Sequence, residues 1–192
     1  IALVPETETC EAIMQAWYPG EKGGDAVADV IFGDYNPSGK LPITFYRSVE
    51  DLPDFLDYTM KNRTYRYFNG SPLWHFGYGM SYTSFEFGKP KYKQGKLTVD
   101  VKNSGKFDGD EVVQVYIRRI DDVNGPIKTL KAFKRITLKA GEKQNICIDM
   151  PRESFEVWDA ETNTMRVVSG KYEVMVGNSS RAEDLKTITV KI

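Results

Sequence analysis

The sequence predicts a mixed fold: a short α/β piece, an irregular aromatic connector, and an all-β sandwich of immunoglobulin type that takes up the rest of the chain. Three observations predict it. In GGDAVADVIFG the apolar residues Ala26, Val27, Val30 and Ile31 recur at helical spacing and end at Gly33, a residue suited to a helix stop. From Lys96 onward apolar and polar residues alternate with a period of two, and clusters of Gly, Asn, Asp and Ser divide the runs. Between these regions lies a stretch with neither period and many rings. The expected divisions are 1–45, 46–84 and 85–192.

The helix is expected from about Gly24 to Phe32, followed by the turn signal Asn36 to Gly39. Before it, Ala12 to Tyr18 is a short apolar run that ends at Pro19, and periodicity alone leaves it open between a buried strand and the last turns of a helix. A strand is the preferred reading, because strand, Gly-containing turn and helix make a βα unit. One such unit cannot bury both faces of its strand, so this piece is expected to lean on structure beyond it. The connector carries Tyr58, Tyr65, Tyr67, Phe68, Trp74, Phe76, Tyr78, Tyr82 and Phe85, a ring density unusual for a loop. Gly77 and Gly79 in FGYG read as a tight bend that delivers the chain into the sandwich.

Within the sandwich, Leu97, Val99 and Val101 share one face of LTVDV, and Tyr172, Val174 and Val176 share one face of YEVMVG. Roughly seven strands over about 110 residues suit an immunoglobulin-like or fibronectin type III-like sandwich. Trp158 is expected in its core, ahead of a turn from Asp159 to Asn163. The charged stretch IRRIDDVNGPIKTLKAFKR reads as a solvated loop; Arg118, Arg119, Lys128 and Lys131 are the alternative contacts to a neighbouring domain or subunit.

Composition excludes several function classes. With 192 residues, 41% hydrophobic, 28% charged and a net charge of -1, the chain is an ordinary globular one without a field to steer nucleic acid or an anionic membrane. No apolar run approaches the ~20 residues that span a bilayer. Cys10 and Cys147 read as separate free thiols, and no Cys/His cluster has zinc spacing. His75 is the only histidine, which removes most histidine-based triads and metal sites. Neither a phosphate loop nor a dinucleotide glycine motif is present, and no cofactor is implied.

Two blocks carry a family resemblance: AWYPGEKGGDAVADVIFGDYNPSGKLPITF, then RTYRYFNGSPLWHFGYGMSYTSF. Together they resemble the C-terminal part of a glycoside hydrolase family 3 enzyme. The first is similar to the end of that family's α/β sandwich domain, and the second to the connector leading into its fibronectin type III-like domain. VKNSGKFDGDEVVQVYI and LKAFKRITLKAGE continue the likeness, and RTYRYF is closer to the β-xylosidase and α-arabinofuranosidase branch than to typical β-glucosidases. The resemblance implies a retaining exo-acting hydrolase, in which a carboxylate attacks the anomeric carbon while a carboxylic acid protonates the leaving oxygen. In that family the aspartate nucleophile lies in an N-terminal barrel, and the acid/base glutamate usually lies upstream of the AWYPG block. Neither motif is found in this sequence, so no catalytic residue is assigned and the chain alone is expected to be inert. The implied partners are the upstream barrel, the remainder of the α/β domain and, in the intact enzyme, an oligosaccharide. Self-association is left open, and the usual location of polymer degradation points to the periplasm or the extracellular space.

Trp17, Tyr18 and Glu21 are candidates for the rim of a substrate cleft, since Gly23 and Gly24 bring a helix start close behind them. Arg63, Tyr65 and Arg66 are candidates for glycan contact, because sugar C–H faces stack on rings while hydroxyls bond to Arg or Tyr. The simpler account of the connector is that its rings fasten the sandwich to the α/β piece. The carboxylate pairs Glu21 with Asp25 and Asp108 with Asp110 read as solvated turn residues, and Asn62 and Asn178 fit the short glycosylation pattern. Two further readings stand beside the hydrolase one: an independent carbohydrate-binding module, with exposed coplanar rings, or an interaction module joining subunits.

Overall fold

The computed structural model describes residues 3–192. The chain opens with a short helix, α1 (Val4–Thr9), and continues without regular structure to α2 (Gly23–Phe32). Gly23 starts α2 against Pro19, where an added Cβ would lie 2.3 Å from the proline Cβ; the helix ends at Gly33 in the left-handed conformation. The strand expected over Ala12 to Tyr18 does not form. A strand needs a neighbour to take its N–H and C=O groups, and no strand of the chain lies beside this run, which is exposed throughout.

The connector folds back on the first segment. Phe45 bridges Trp74, with Phe45 N–H donating to Trp74 O at 2.9 Å and Leu73 N–H to Phe45 O at 2.7 Å. Leu41 and Gly77–Tyr78 exchange two more backbone bonds, at 2.9 and 2.7 Å. A 3-10 turn at Val49–Asp51 and one α-helical turn, α3 (Thr64–Tyr67), interrupt an otherwise irregular path.

The sandwich then begins. Strands β1 (Phe85–Phe87) and β2 (Lys91–Lys93) pair with successive stretches of β3 (Lys96–Asn103), whose other edge pairs with β6 (Lys143–Asp149). The facing sheet has the order β10–β9–β4–β5, formed by β4 (Gly109–Arg119), β5 (Thr129–Leu138), β9 (Lys171–Gly177) and β10 (Lys186–Lys191). All pairings are antiparallel, and a hairpin of β7 (Glu156–Asp159) and β8 (Thr164–Val167) completes the set.

The alternation read in the sequence decides the core. Leu97, Val99 and Val101 of β3 meet Val113, Val115 and Ile117 of β4 and Tyr172, Val174 and Val176 of β9 in one buried cluster. Trp158 is outside it. On β7 Val157 packs against the core, so its neighbour must point away, and Trp158 is 55% exposed; Phe155, fully buried between Tyr92 and Tyr172, is the large aromatic residue there instead.

Strand β4 is buried on both faces. Its second face carries Gln114 and Tyr116, both buried under the connector. The Gln114 amide donates to Gly77 O at 3.0 Å and Asn178 O at 2.7 Å, and the Tyr116 hydroxyl donates to Gln114 Oε1. Burial pushes the Tyr116 phenol far above its ordinary pKa, so it stays a donor at every accessible pH. Gly77 makes this contact with φ at +78°, and a Cβ there would lie 2.1 Å from Gln114 Oε1. Gly77→Ala is therefore expected to cost about 2 kcal/mol or more of unfolding free energy, measured by urea denaturation. An unchanged midpoint would contradict the close approach.

Candidate functional site at the connector

Segment 36–40 pins the α/β piece to the sandwich. Asn36 donates to Asp108 O at 2.9 Å and accepts from Ser81 Oγ and Tyr82 N–H, both at 2.8 Å. Arg135 of β5 reaches across to Tyr35 Oη and Ser38 Oγ, each at 2.9 Å, while pairing with Asp110. Hydrogen bonds from Thr137 and Arg135 hold the Asp110 carboxyl below the usual carboxylate range.

The most deeply buried ion pair of this seam is Lys40 with Glu111, at 2.7 Å, with the glutamate side chain 3% exposed. Further hydrogen bonds support it. Lys40 Nζ also donates to Gly79 O at 3.2 Å, while Glu111 accepts from Val112 N–H at 2.7 Å and from the Asn178 amide at 3.0 Å.

Next to this clasp, segment 46–68 builds the aromatic surface. Ser48 and Asp51 form a reciprocal cap, and Asp54 and Asp57 each accept a backbone N–H two residues on, at 2.8 Å. Arg63, a candidate for glycan contact, instead donates to the carbonyls of Thr59, Asp54 and Asp57 and so holds the loop together. Thr64 then takes φ of +56°, unusual for a β-branched residue, and its N–H donates to Tyr46 Oη at 2.7 Å.

Tyr65 and Arg66 face the sandwich. The Tyr65 ring stacks on Phe76 at 4.2 Å and meets Tyr116 edge-on at 5.9 Å, and its hydroxyl accepts from Leu130 N–H at 3.2 Å. The Arg66 carbonyl accepts from Ile127 N–H at 2.7 Å, and its guanidinium lies 5.5 Å from the Tyr67 ring centre. Phe68 and Trp74 are half-buried too, packed edge-on to Tyr46 and Phe45.

Trp17, Tyr18 and Glu21 lie on the surface. Trp17 has φ of +55° and lines a groove of about 120 Å³ with Ile43, Phe45, Tyr46 and Leu52. Tyr18 is fully exposed, as is the apolar run of Phe55 and Tyr58, each 87% exposed. The six candidates therefore form no single constellation: Trp17, Tyr18 and Glu21 are exposed ahead of α2, whereas Arg63, Tyr65 and Arg66 are half-buried in the connector.

Asp25 pairs with exposed Lys22 at 3.4 Å, and Asp108 accepts from Ala140 N–H at 2.8 Å. Among the described residues no group of His, Cys, Asp and Glu is placed to hold a metal ion. Sequence reasoning missed Lys40, Glu111 and Tyr46. The one signal was Glu111, an acid standing at the same parity as Val113, Val115 and Ile117.

The clasp sets an expectation. Lys40→Met leaves a buried carboxylate without its cation and should cost about 3–5 kcal/mol, while the double change Lys40→Met with Glu111→Leu should recover most of that loss. Chemical unfolding of the three variants measures it; additive losses would show the pair to be uncoupled.

Known proteins share this architecture. Residues 1–82 match the glycosyl hydrolase family 3 C-terminal domain, and residues 111–180 match the fibronectin type III-like domain. The chain is 52% identical to a xylan 1,4-β-xylosidase of Xylanibacter ruminicola, over 100% of its own length and 23% of that enzyme. It is 38% identical to a periplasmic β-glucosidase of Salmonella typhimurium, over 94% of its length and 26% of the relative. A crystal structure of the Bifidobacterium adolescentis GH3 β-glucosidase superposes with a TM-score of 0.88 at 31% identity, covering 100% of this chain and 31% of that one. The β-glucosidase of Kluyveromyces marxianus gives 0.86 at 35% identity, covering 98% and 25%. The chain thus spans about a quarter of the length of the curated relatives it matches. It belongs to glycoside hydrolase family 3 as a C-terminal part, with residues matched to that family's C-terminal domain and to a fibronectin type III-like domain.

Proposed function

We propose that this chain is the scaffold and one cleft wall of a retaining, exo-acting β-glycosidase that releases single sugars from the non-reducing ends of oligosaccharides, with β-xylosides preferred over β-glucosides. The single observation that carries this reading is the uncovered apolar surface of the α/β piece and connector. Ile31 and Phe32 of α2 are 63% and 81% exposed, and Phe55, Leu56 and Tyr58 are 87%, 75% and 87% exposed. A run of large side chains of this kind suits burial against further polypeptide. The preference for xylosides draws on RTYRYF and on the xylosidase relative.

The units of work are 1–45 as the end of the α/β domain, 46–84 as the connector and 85–192 as the sandwich. Trp17, Tyr18 and Glu21 border the substrate, and Arg63, Tyr65 and Arg66 hold that border in place from behind. The two catalytic carboxylates come from the upstream barrel and the rest of the α/β domain, with no catalytic residue and no cofactor supplied here. A periplasmic or extracellular site of action fits the periplasmic relative.

Hydrolysis of aryl β-xyloside and aryl β-glucoside tests this, comparing the chain alone with the chain joined to a family 3 barrel and α/β domain. Activity is expected only in the joined form, with Trp17→Ala and Tyr18→Ala each raising KM about 2- to 10-fold there. Turnover by the chain alone would overturn the proposal.

A further inference from the structure

A second concavity lies on the seam and adjoins the groove beside Trp17 at Thr44, which lines both. It measures about 150 Å³ and is lined by Thr44, Tyr65, Phe68 and His75 from the chain preceding the sandwich, and by Lys128 and Ser180 from sandwich loops. Its polar groups are short of partners. Thr44 Oγ1 is buried with no hydrogen-bond partner. Lys128 Nζ donates to Ser180 O at 2.6 Å, leaving its remaining ammonium hydrogens without an acceptor among the described residues. The one negative charge among the described residues that acts on Lys128, Glu183, is itself paired with Arg181 at 3.0 Å.

The consequence is a half-buried cation without its complement. Burial pulls the Lys128 ammonium below its usual pKa, and burial together with the Lys128 charge pulls His75 down as well. Burial is the first cause of both shifts, and the Glu183 charge opposes it at both groups. One ammonium flanked by neutral donors balances a single negative charge, which suits a carboxylate better than a dianion. The Tyr65 and Phe68 rings then provide an apolar wall for a carbon body, and the volume admits one about the size of a single sugar ring.

We propose that this pocket binds the carboxylate of a compact organic acid, best a one-ring sugar acid, with Lys128 as the charged contact and the Thr44 hydroxyl and His75 ring as hydrogen-bond donors. The site shares Thr44 with the groove beside Trp17 but is defined by its own charged group, Lys128, and does not depend on the glycosidase reading.

His75 supplies the readout, because it is the only histidine in the chain and gives one set of ring signals. The full 192-residue chain is titrated with glucuronate at constant ionic strength, with glucose and sodium chloride as controls, while the His75 ring is followed by NMR. A saturable shift with glucuronate alone is expected. Lys128→Met should weaken binding about tenfold or more, and the near-isosteric Thr44→Val, which keeps the fold should Lys128→Met fail to, should weaken it severalfold. No saturable shift, an equal shift with glucose or chloride, or unchanged affinity in both variants would overturn the proposal.

Discussion

The arrangement of this molecule depends on one buried ion pair, Lys40 with Glu111, which joins a turn of the α/β piece to the start of the central strand of the sandwich. Two charges taken out of water are tolerated best when hydrogen bonds meet their remaining lone pairs and donors. Here the glutamate takes Lys40, Val112 N–H and the Asn178 amide, and the lysine takes Gly79 O as its second acceptor. A slide of either partner would break several bonds together. The turn at Asn36 to Lys40 is thus fixed to the sheet, and the Arg135 contacts to Tyr35 and Ser38 fix it at a second point.

From that clasp the aromatic connector follows. Strand β4 has one face in the sandwich core and the other under Tyr65, Phe76 and Gly77, so the connector is the cover of a buried strand rather than a tether. This explains why rings are dense there. Stacked and edge-on rings bury large area with little side-chain entropy to lose, and the Tyr65 hydroxyl meets a strand N–H that would otherwise be stranded.

The sandwich was legible because period-two alternation is a local property: Leu97, Val99, Val101, Tyr172, Val174 and Val176 fall on the core face as their spacing requires. Helix α2 was legible for the same reason, its apolar spacing closing at Gly33. What failed was decided at a distance. Ala12 to Tyr18 has strand character but no neighbouring strand to bond, and Trp158 has core character but the wrong parity beside Val157. The candidate residues divided along the same line. Ring and guanidinium chemistry was visible at Arg63, Tyr65 and Arg66, yet which side of the chain each faces is set by partners far off in sequence, such as Leu130 and Ile127.

Several acids hold turns, caps and clasps, Asp51, Asp54, Asp57, Asp110 and Glu111 among them. The most direct measurement is covalent trapping. A 2-deoxy-2-fluoro xyloside with a good leaving group, incubated with the chain joined to a family 3 barrel and α/β domain, holds the glycosyl-enzyme ester long enough for peptide mass mapping. The label is expected on a carboxylate outside residues 1–192. A labelled Asp or Glu within them would contradict the scaffold role and place the nucleophile in this chain.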